Sequence, residues 1–161
     1  MMQRAQLTFE RLKIMAGQEL GVSRWFTVDQ AKIDQFAECT EDRQWIHIDI
    51  DRARRESPYR APVAHGYLTL SLVAAMSYDI GARPEGTAAS INYGLDKVRF
   101  LAPVRAGSRV RMRSTLLSFE EKAPGQFLMK NSNEVDIEGE ERPALIAETL
   151  VLLVAEQATP S

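Results

Sequence analysis

The sequence predicts an α+β fold in which an antiparallel sheet curls around one apolar helix, and three features lead there. Leu68, Leu70, Leu72, Val73, Ala74, Ala75 and Met76 put apolar side chains on nearly every side of a helix spanning 67–78, so it is expected to be buried nearly all round. Four strand-like segments follow, 88–101, 109–119, 126–137 and 144–155, separated by turn residues: Pro103 with Gly107, Pro124-Gly125, and Gly139 with Pro143. Strands joined in succession by short turns favour antiparallel pairing. One buried helix followed by such a meander requires a sheet that wraps it. The 161 residues fit a single domain, residues 1–161.

The remaining elements are read in chain order. Residues 19–26 alternate well enough for a first strand. Thr27-Val28-Asp29-Gln30 matches a capping box, with Thr27 as N-cap and Gln30 reaching back. Ile33, Phe36 and Ala37 follow at helical spacing, giving a short amphipathic helix that ends near Thr40. Cys39 sits in this stretch and is expected to be a small buried hydrophobe. As the single cysteine it forms no intramolecular disulfide and no cysteine metal cluster. Helical periodicity fails over 41–51, which reads as a loop. Asp51 reads as the N-cap of a second short helix, 52–56, that ends before Pro58.

Composition narrows the function. With 45% hydrophobic and 26% charged residues and a net charge of -2, the chain is an ordinary globular protein without the basic footprint of a nucleic-acid binder. The run Lys97, Arg99, Arg105, Arg109, Arg111 and Arg113 reads as solvated strand faces. Met1-Met2-Gln3-Arg4 opens no apolar signal segment, and no run of about 18 apolar residues exists, so neither secretion nor a membrane is expected. A cytoplasmic protein is the expectation.

Both histidines of the chain fall in two short stretches that carry the chemistry. Asp42 and His47 are five residues apart, a spacing that on a helix separates them by about 140°, so a loop is needed to bring both onto one site. Ile46 and Ile48 flank His47, and alternation would turn the imidazole away from them, toward a cavity or solvent. His65-Gly66 precedes the apolar helix, whose first N–H groups need partners. A carbonyl oxygen is one such partner, and Gly66 lets it approach closely. Taken singly, Asp42 also reads as a loop-start residue and His47 as a satisfied core histidine. Together, an acid/base pair beside a helix N-terminus suits adding water to, or removing it from, an activated carbonyl compound.

These residues resemble a family. Segment 36–72 is similar to the MaoC-like (R)-specific enoyl-CoA hydratases and dehydratases, which have the hot-dog fold. Their motif runs Phe-Ala, small residue, Gly-Asp-x-Asn-Pro-Ile-His, then a spacer to Val-His-Gly and an apolar helix. Asp42, His47 and Val63-Ala64-His65-Gly66 stand at the matching positions, while Gln44-Trp45 replaces Asn-Pro. The stretch 91–100, with Pro103-Val104 and Gly107, looks like the nodulation protein N-like branch, and the resemblance covers most of 19–154. It departs at Glu41, where the family has Gly. A side chain there tilts the loop if φ > 0 is needed, and it sets a like charge beside Asp42.

The resemblance implies that Asp42, as general base, and His47 hold one water against C3 of a trans-2-enoyl thioester, with the Gly66 N–H as oxyanion hole. It implies no metal and no cofactor, coenzyme A being part of the substrate. His65 then braces the Gly66 turn, Gln44 and Trp45 join the substrate-binding loop, Asn92 and Tyr93 line an acyl tunnel or serve strand packing, and Lys97 or Arg99 reaches coenzyme A phosphates. It further implies a homodimer joined edge to edge through its sheets. Two other readings of the same fold are an acyl-CoA thioesterase, with a carboxylate-activated water attacking the carbonyl carbon, and a non-catalytic acyl-ligand-binding protein.

Overall fold

The chain enters its sheet through two short strands rather than the single strand expected over 19–26. The structure, a computed structural model, describes residues 7–156, and in it a short helix α1 (Phe9–Lys13) precedes β1 (Glu19–Val22) and β2 (Phe26–Val28). Ser23 marks the break: its N–H donates to the Met112 carbonyl at 2.8 Å and its hydroxyl accepts from the Met112 N–H at 3.0 Å.

Helix α2 (Gln30–Thr40) is capped by Asp29, which accepts from the Lys32 N–H at 2.9 Å; the expected cap, Thr27, lies in β2. Cys39 is exposed rather than buried, because Ile33 and Ala37 form the buried stripe of α2 and Cys39 points away from it. Residues 41–51, expected as a loop, hold a helical turn α3 (Trp45–Ile48), and the short helix expected over 52–56 is present as α4 (Ile50–Glu56), starting two residues earlier. Asp49 caps α4 in place of Asp51, accepting from the Arg52 N–H at 2.9 Å. Gln30 closes no capping box; its amide donates to the His47 carbonyl at 2.8 Å and ties α2 to α3.

Helix α5 (Gly66–Ile80) leads into β3 (Thr87–Phe100), β4 (Ser108–Ala123), β5 (Gln126–Ile137) and β6 (Leu145–Ala155). The sheet order is β1-β4-β5-β6-β3, with β2 also on β4, and all pairings are antiparallel. Only β4, β5 and β6 form a meander. β3 pairs with β6, ending at Phe100 opposite Leu145, and among the described residues its other edge is unpaired.

Alternation along the strands builds the core. Val110, Met112, Val135, Ile137, Leu145 and Ala147 pack with Leu68, Val73, Met76 and Ile80 of α5. A second cluster, Leu12, Met15, Leu116, Phe127, Met129 and Leu153, closes the far end under α1. Between them the buried Ser114 hydroxyl donates to Asn133 Oδ1 at 2.7 Å, and Asn133 Nδ2 donates to Thr149 Oγ1 at 2.8 Å, so these buried polar groups are partnered within the sheet. Burial of α5 is one-sided, not all round: Tyr67, Ser71, Ala74, Ala75 and Tyr78 are exposed on the single chain. On the outer sheet face Arg109 pairs with Glu138, Arg111 with Asp136 and Arg113 with Glu19, as expected of solvated strands.

Helix α2 stops because Glu41 adopts the left-handed region, φ 63°, where a Cβ costs about 1 kcal/mol relative to glycine. Glu41→Gly should therefore stabilise the chain by about 1 kcal/mol in urea unfolding, while Glu41→Gln, which keeps the Cβ, leaves stability unchanged. Equal midpoints for all three proteins would show that the turn stores no strain.

Candidate active site

The turn at Glu41 sends the chain back so that Asp42 lies beside α3, and α3 carries His47 inward. His47 Nδ1 is 2.6 Å from the Val63 carbonyl, while the Val63 N–H donates to the Ile46 carbonyl at 3.1 Å. This pair of bonds clamps α3 to the segment leading into α5. A carbonyl only accepts, so Nδ1 carries the proton and Nε2 keeps its lone pair. The expected strand-like alternation around His47 does not hold: the segment is a helical turn, and Ile46 lines the same cavity as His47. Burial holds the His47 pKa below its ordinary 6.5; the Val63 bond opposes this, His65 reinforces it, and Asp42 opposes it again.

His65 sits immediately before α5 and is almost wholly buried. Its Nε2 lies 2.8 Å from the backbone carbonyl of Asp42, and its ring stacks on His47 with centroids 3.7 Å apart. Phe36 of α2 packs against it at 5.0 Å. The Asp42 carboxylate is 56% exposed, with Oδ2 4.0 Å from His65 Nε2. One polar atom from each of Asp42, His47 and His65 lies within 4.8 Å of the other two. That separation is of a size one water can bridge, since two hydrogen bonds of about 2.8 Å reach about 5.6 Å. A cation suits it less well. Each imidazole already has one ring nitrogen on a backbone carbonyl, and the rings stack 3.7 Å apart at 26° to each other, so the remaining in-plane lone pairs lie in separate, nearly parallel planes.

Beside His47 opens a cavity of about 290 Å³ whose lining includes Tyr59, Gly66, Thr69, Phe100 and Val104. His65 at the N-cap makes no side-chain cap, so among the described residues the N-terminal N–H groups of α5 are left for another acceptor. The backbone at Gly66 is closely approached: a Cβ at this position would meet the Phe100 ring at 3.0 Å, so the ring would have to shift. Sequence reasoning missed Tyr59 and Phe100. Only the β3–β6 register, which ends at Phe100, brings that ring over α5.

Other expected site residues stand elsewhere. Gln44 is exposed as the N-cap of α3, and Trp45 lies under the Arg52 guanidinium at 4.4 Å. Asn92 and Tyr93 line a separate groove of about 280 Å³ between α5 and β3. Lys97 pairs with Glu148 at 2.8 Å, and Arg99 donates to the Val98 carbonyl.

The profile described as MaoC like domain matches residues 12–136. The chain is 44% identical over 137 residues to nodulation protein N of Rhizobium leguminosarum bv. viciae, spanning 85% of each protein. It is 41% identical over 151 residues to 3-hydroxyacyl-thioester dehydratase Z of Mycobacterium tuberculosis, spanning 92% of this chain and 99% of that one. Among solved structures, the (R)-hydratase from A. caviae involved in PHA biosynthesis superposes with a TM-score of 0.68 at 23% identity, over 84% of this chain and 94% of that one. The sheet wrapped on α5 is the hot-dog fold, and the chain belongs to the MaoC-like dehydratase family.

Proposed function

We propose that this chain is a hydro-lyase that hydrates trans-2-enoyl-CoA to (R)-3-hydroxyacyl-CoA and runs the reverse dehydration. The observation that carries the reading is the cluster of Asp42, His47 and His65, with one polar atom of each within 4.8 Å of the others, set beside the start of α5, where His65 makes no side-chain cap. In this scheme the water donates one hydrogen bond to Asp42 and the other to the His47 Nε2 lone pair, leaving its oxygen lone pair for C3. Asp42 takes the proton as the C3–O bond forms. The π electrons move through C2 to the thioester oxygen, and the Gly66 N–H with the helix dipole stabilises that enolate. Return of a proton to C2 completes the addition. No metal or separate cofactor enters the scheme. Family membership and the 41% identity to a protein named as a 3-hydroxyacyl-thioester dehydratase support the reaction class.

A homodimer is part of this proposal. The free edge of β3 exposes Ile91, Tyr93 and Leu95, and the outer face of α5 exposes Tyr67 and Tyr78. An apolar, unpaired edge next to an apolar helix face calls for a partner, and a second copy meeting it edge to edge extends the sheet. Among the described residues no helix is long and apolar enough to cross a membrane; a cytoplasmic setting completes the proposal.

Incubation with crotonyl-CoA and longer enoyl-CoAs, following loss of enoyl absorbance, tests the activity; absence of turnover at every chain length removes it. Asp42→Asn and His47→Asn should each lower kcat at least about a hundredfold. The His47→Asn amide retains a donor toward Val63, so the fold survives. The double variant should be little worse than the poorer single one, because both groups serve one water. Near-native rates in either single variant would show the pair to be structural. The lowered His47 pKa fixes the sign of the pH dependence: the neutral ring persists below pH 6.5, so kcat/KM should lose nothing to His47 until the pH falls under that value. A loss centred above pH 6.5 and abolished in His47→Asn would contradict the assignment. Sedimentation should show a dimer that Leu95→Lys converts to monomer; an unshifted species would place the interface elsewhere.

A further inference from the structure

Asp42 and His47 reach their positions from different sides of one turn, and a third side chain touches both. His65 Nε2 is 2.8 Å from the Asp42 carbonyl oxygen. Its ring face lies on the His47 ring at 3.7 Å, and Phe36 backs it at 5.0 Å. Its other nitrogen, Nδ1, is buried without a hydrogen-bond partner. A buried unmet donor is rarer and costlier than an unmet acceptor, so the proton belongs on Nε2, where it binds the Asp42 carbonyl. The His65 side chain is 2% exposed, sealed behind His47 with no route to a substrate carbon.

We propose that His65 is the positioning residue of the site, holding the Asp42 backbone through its Nε2–H and the His47 ring by stacking. It acts on the reaction through these two groups and touches no substrate. This rests on the hydration reading above, and it goes beyond a brace for the Gly66 turn. Asp42 needs such an anchor. Its side chain stands half in solvent directly after the strained Glu41, and no ion pair closer than 4 Å fixes its carboxylate. Misplacing a base by about 1 Å costs about a hundredfold in rate. The titratable groups that face His47 are Asp42 from the loop after α2, His65 from the start of α5, and Tyr59 from the segment after α4, which lines the same cavity. Burial is the main cause that keeps His47 in the form that accepts the water's hydrogen; of these groups His65 works in the same direction and Asp42 against it.

Three substitutions separate the parts of this role. His65→Phe keeps an aromatic ring against His47 but removes the N–H. His65→Gln places an amide donor near the old Nε2 position but removes the ring, and His65→Ala removes both. In His65→Phe, kcat should fall about a hundredfold with KM changed less than about threefold. His65→Gln should recover at least about tenfold of that loss. Equal damage in the Phe and Gln variants, or full activity in the Phe variant, would overturn the inference.

Two further measurements need neither a substrate nor, in one case, a variant. The chain has two histidines, so each imidazole Cε1–H resonance can be followed separately by NMR, and a single one remains once His65 is replaced. His47 should titrate at higher pH in His65→Gln than in the unmodified protein; an unmoved or lower titration would contradict the coupling. In the unmodified protein, ¹⁵N shifts should report His65 as the Nε2–H tautomer, with that proton in slow exchange. An Nδ1–H tautomer would end the proposal even if hydration is demonstrated. Conversely, failure of hydration would leave the tautomer and titration results standing as tests of the contact itself.

Discussion

Two hydrogen bonds at Val63 hold the site together, and most of the local architecture follows from them. The Val63 carbonyl takes the Nδ1–H of His47 at 2.6 Å, and the Val63 N–H returns to the Ile46 carbonyl at 3.1 Å. A net hydrogen bond of this kind contributes about 1 kcal/mol, yet leaving a buried partner unmet costs about 1–3 kcal/mol. Once α3 has folded, the segment before α5 therefore has one favourable position. That position sets the tautomer of His47, the distance to Asp42 and the direction from which α5 begins. Gln30 reaches the other side of the same turn, through the His47 carbonyl, so α2 is tied into the arrangement as well.

The helix that the clamp positions has two faces with different work. Leu68, Val73, Met76 and Ile80 anchor it to the sheet, while its first turn is left without a side-chain cap and faces the cavity beside His47. Ordinary helices satisfy these N–H groups with Ser, Thr, Asp or Asn. Here His65 occupies the cap position, and its ring is committed to Asp42 and His47 instead. The Phe100 ring lies so close to Gly66 that an added Cβ would have to displace it, and the bare glycine keeps the backbone open to a carbonyl oxygen. The far core cluster and the Ser114–Asn133–Thr149 layer stabilise the sheet without touching this end.

Where sequence reading worked, local chemistry was decisive. Period-two alternation placed 126–137 as a strand with matching bounds, and the apolar density of 67–78 marked the central helix within two residues at each end. Where it failed, a long-range partner outweighed a local preference. Thr27 has the chemistry of an N-cap, but β4 claims it as a strand residue and Asp29 caps instead. Residues 45–48 have no helical signature; the Val63 clamp and the Gln30 bond fold them into a turn. β3 sits beside β6 because the sheet must close over α5, and nothing in its own sequence says so. The positions of Asp42, His47, His65 and Gly66 were legible because motif spacing survives without knowledge of the turns between them. Glycine at the corresponding position of the resembling family raises the question of a left-handed conformation at Glu41, and the structure answers it with φ 63°. Tyr59 and Phe100 were not, since each lines the cavity only through contacts distant in sequence. Lys97 and Arg99 looked free in the sequence, yet Glu148 takes the first and a neighbouring carbonyl the second.

The central claim is that water held by Asp42 and His47 becomes bonded to C3 of a thioester-activated acyl chain. Isotope placement tests it most directly. Crotonyl-CoA turned over in H₂¹⁸O should yield 3-hydroxybutyryl-CoA with the label in the C3 hydroxyl and with the thioester intact, and Asp42→Asn should slow that incorporation. Label in a free carboxylate, accompanied by coenzyme A release, would instead mean that water attacks the carbonyl carbon and would contradict the account.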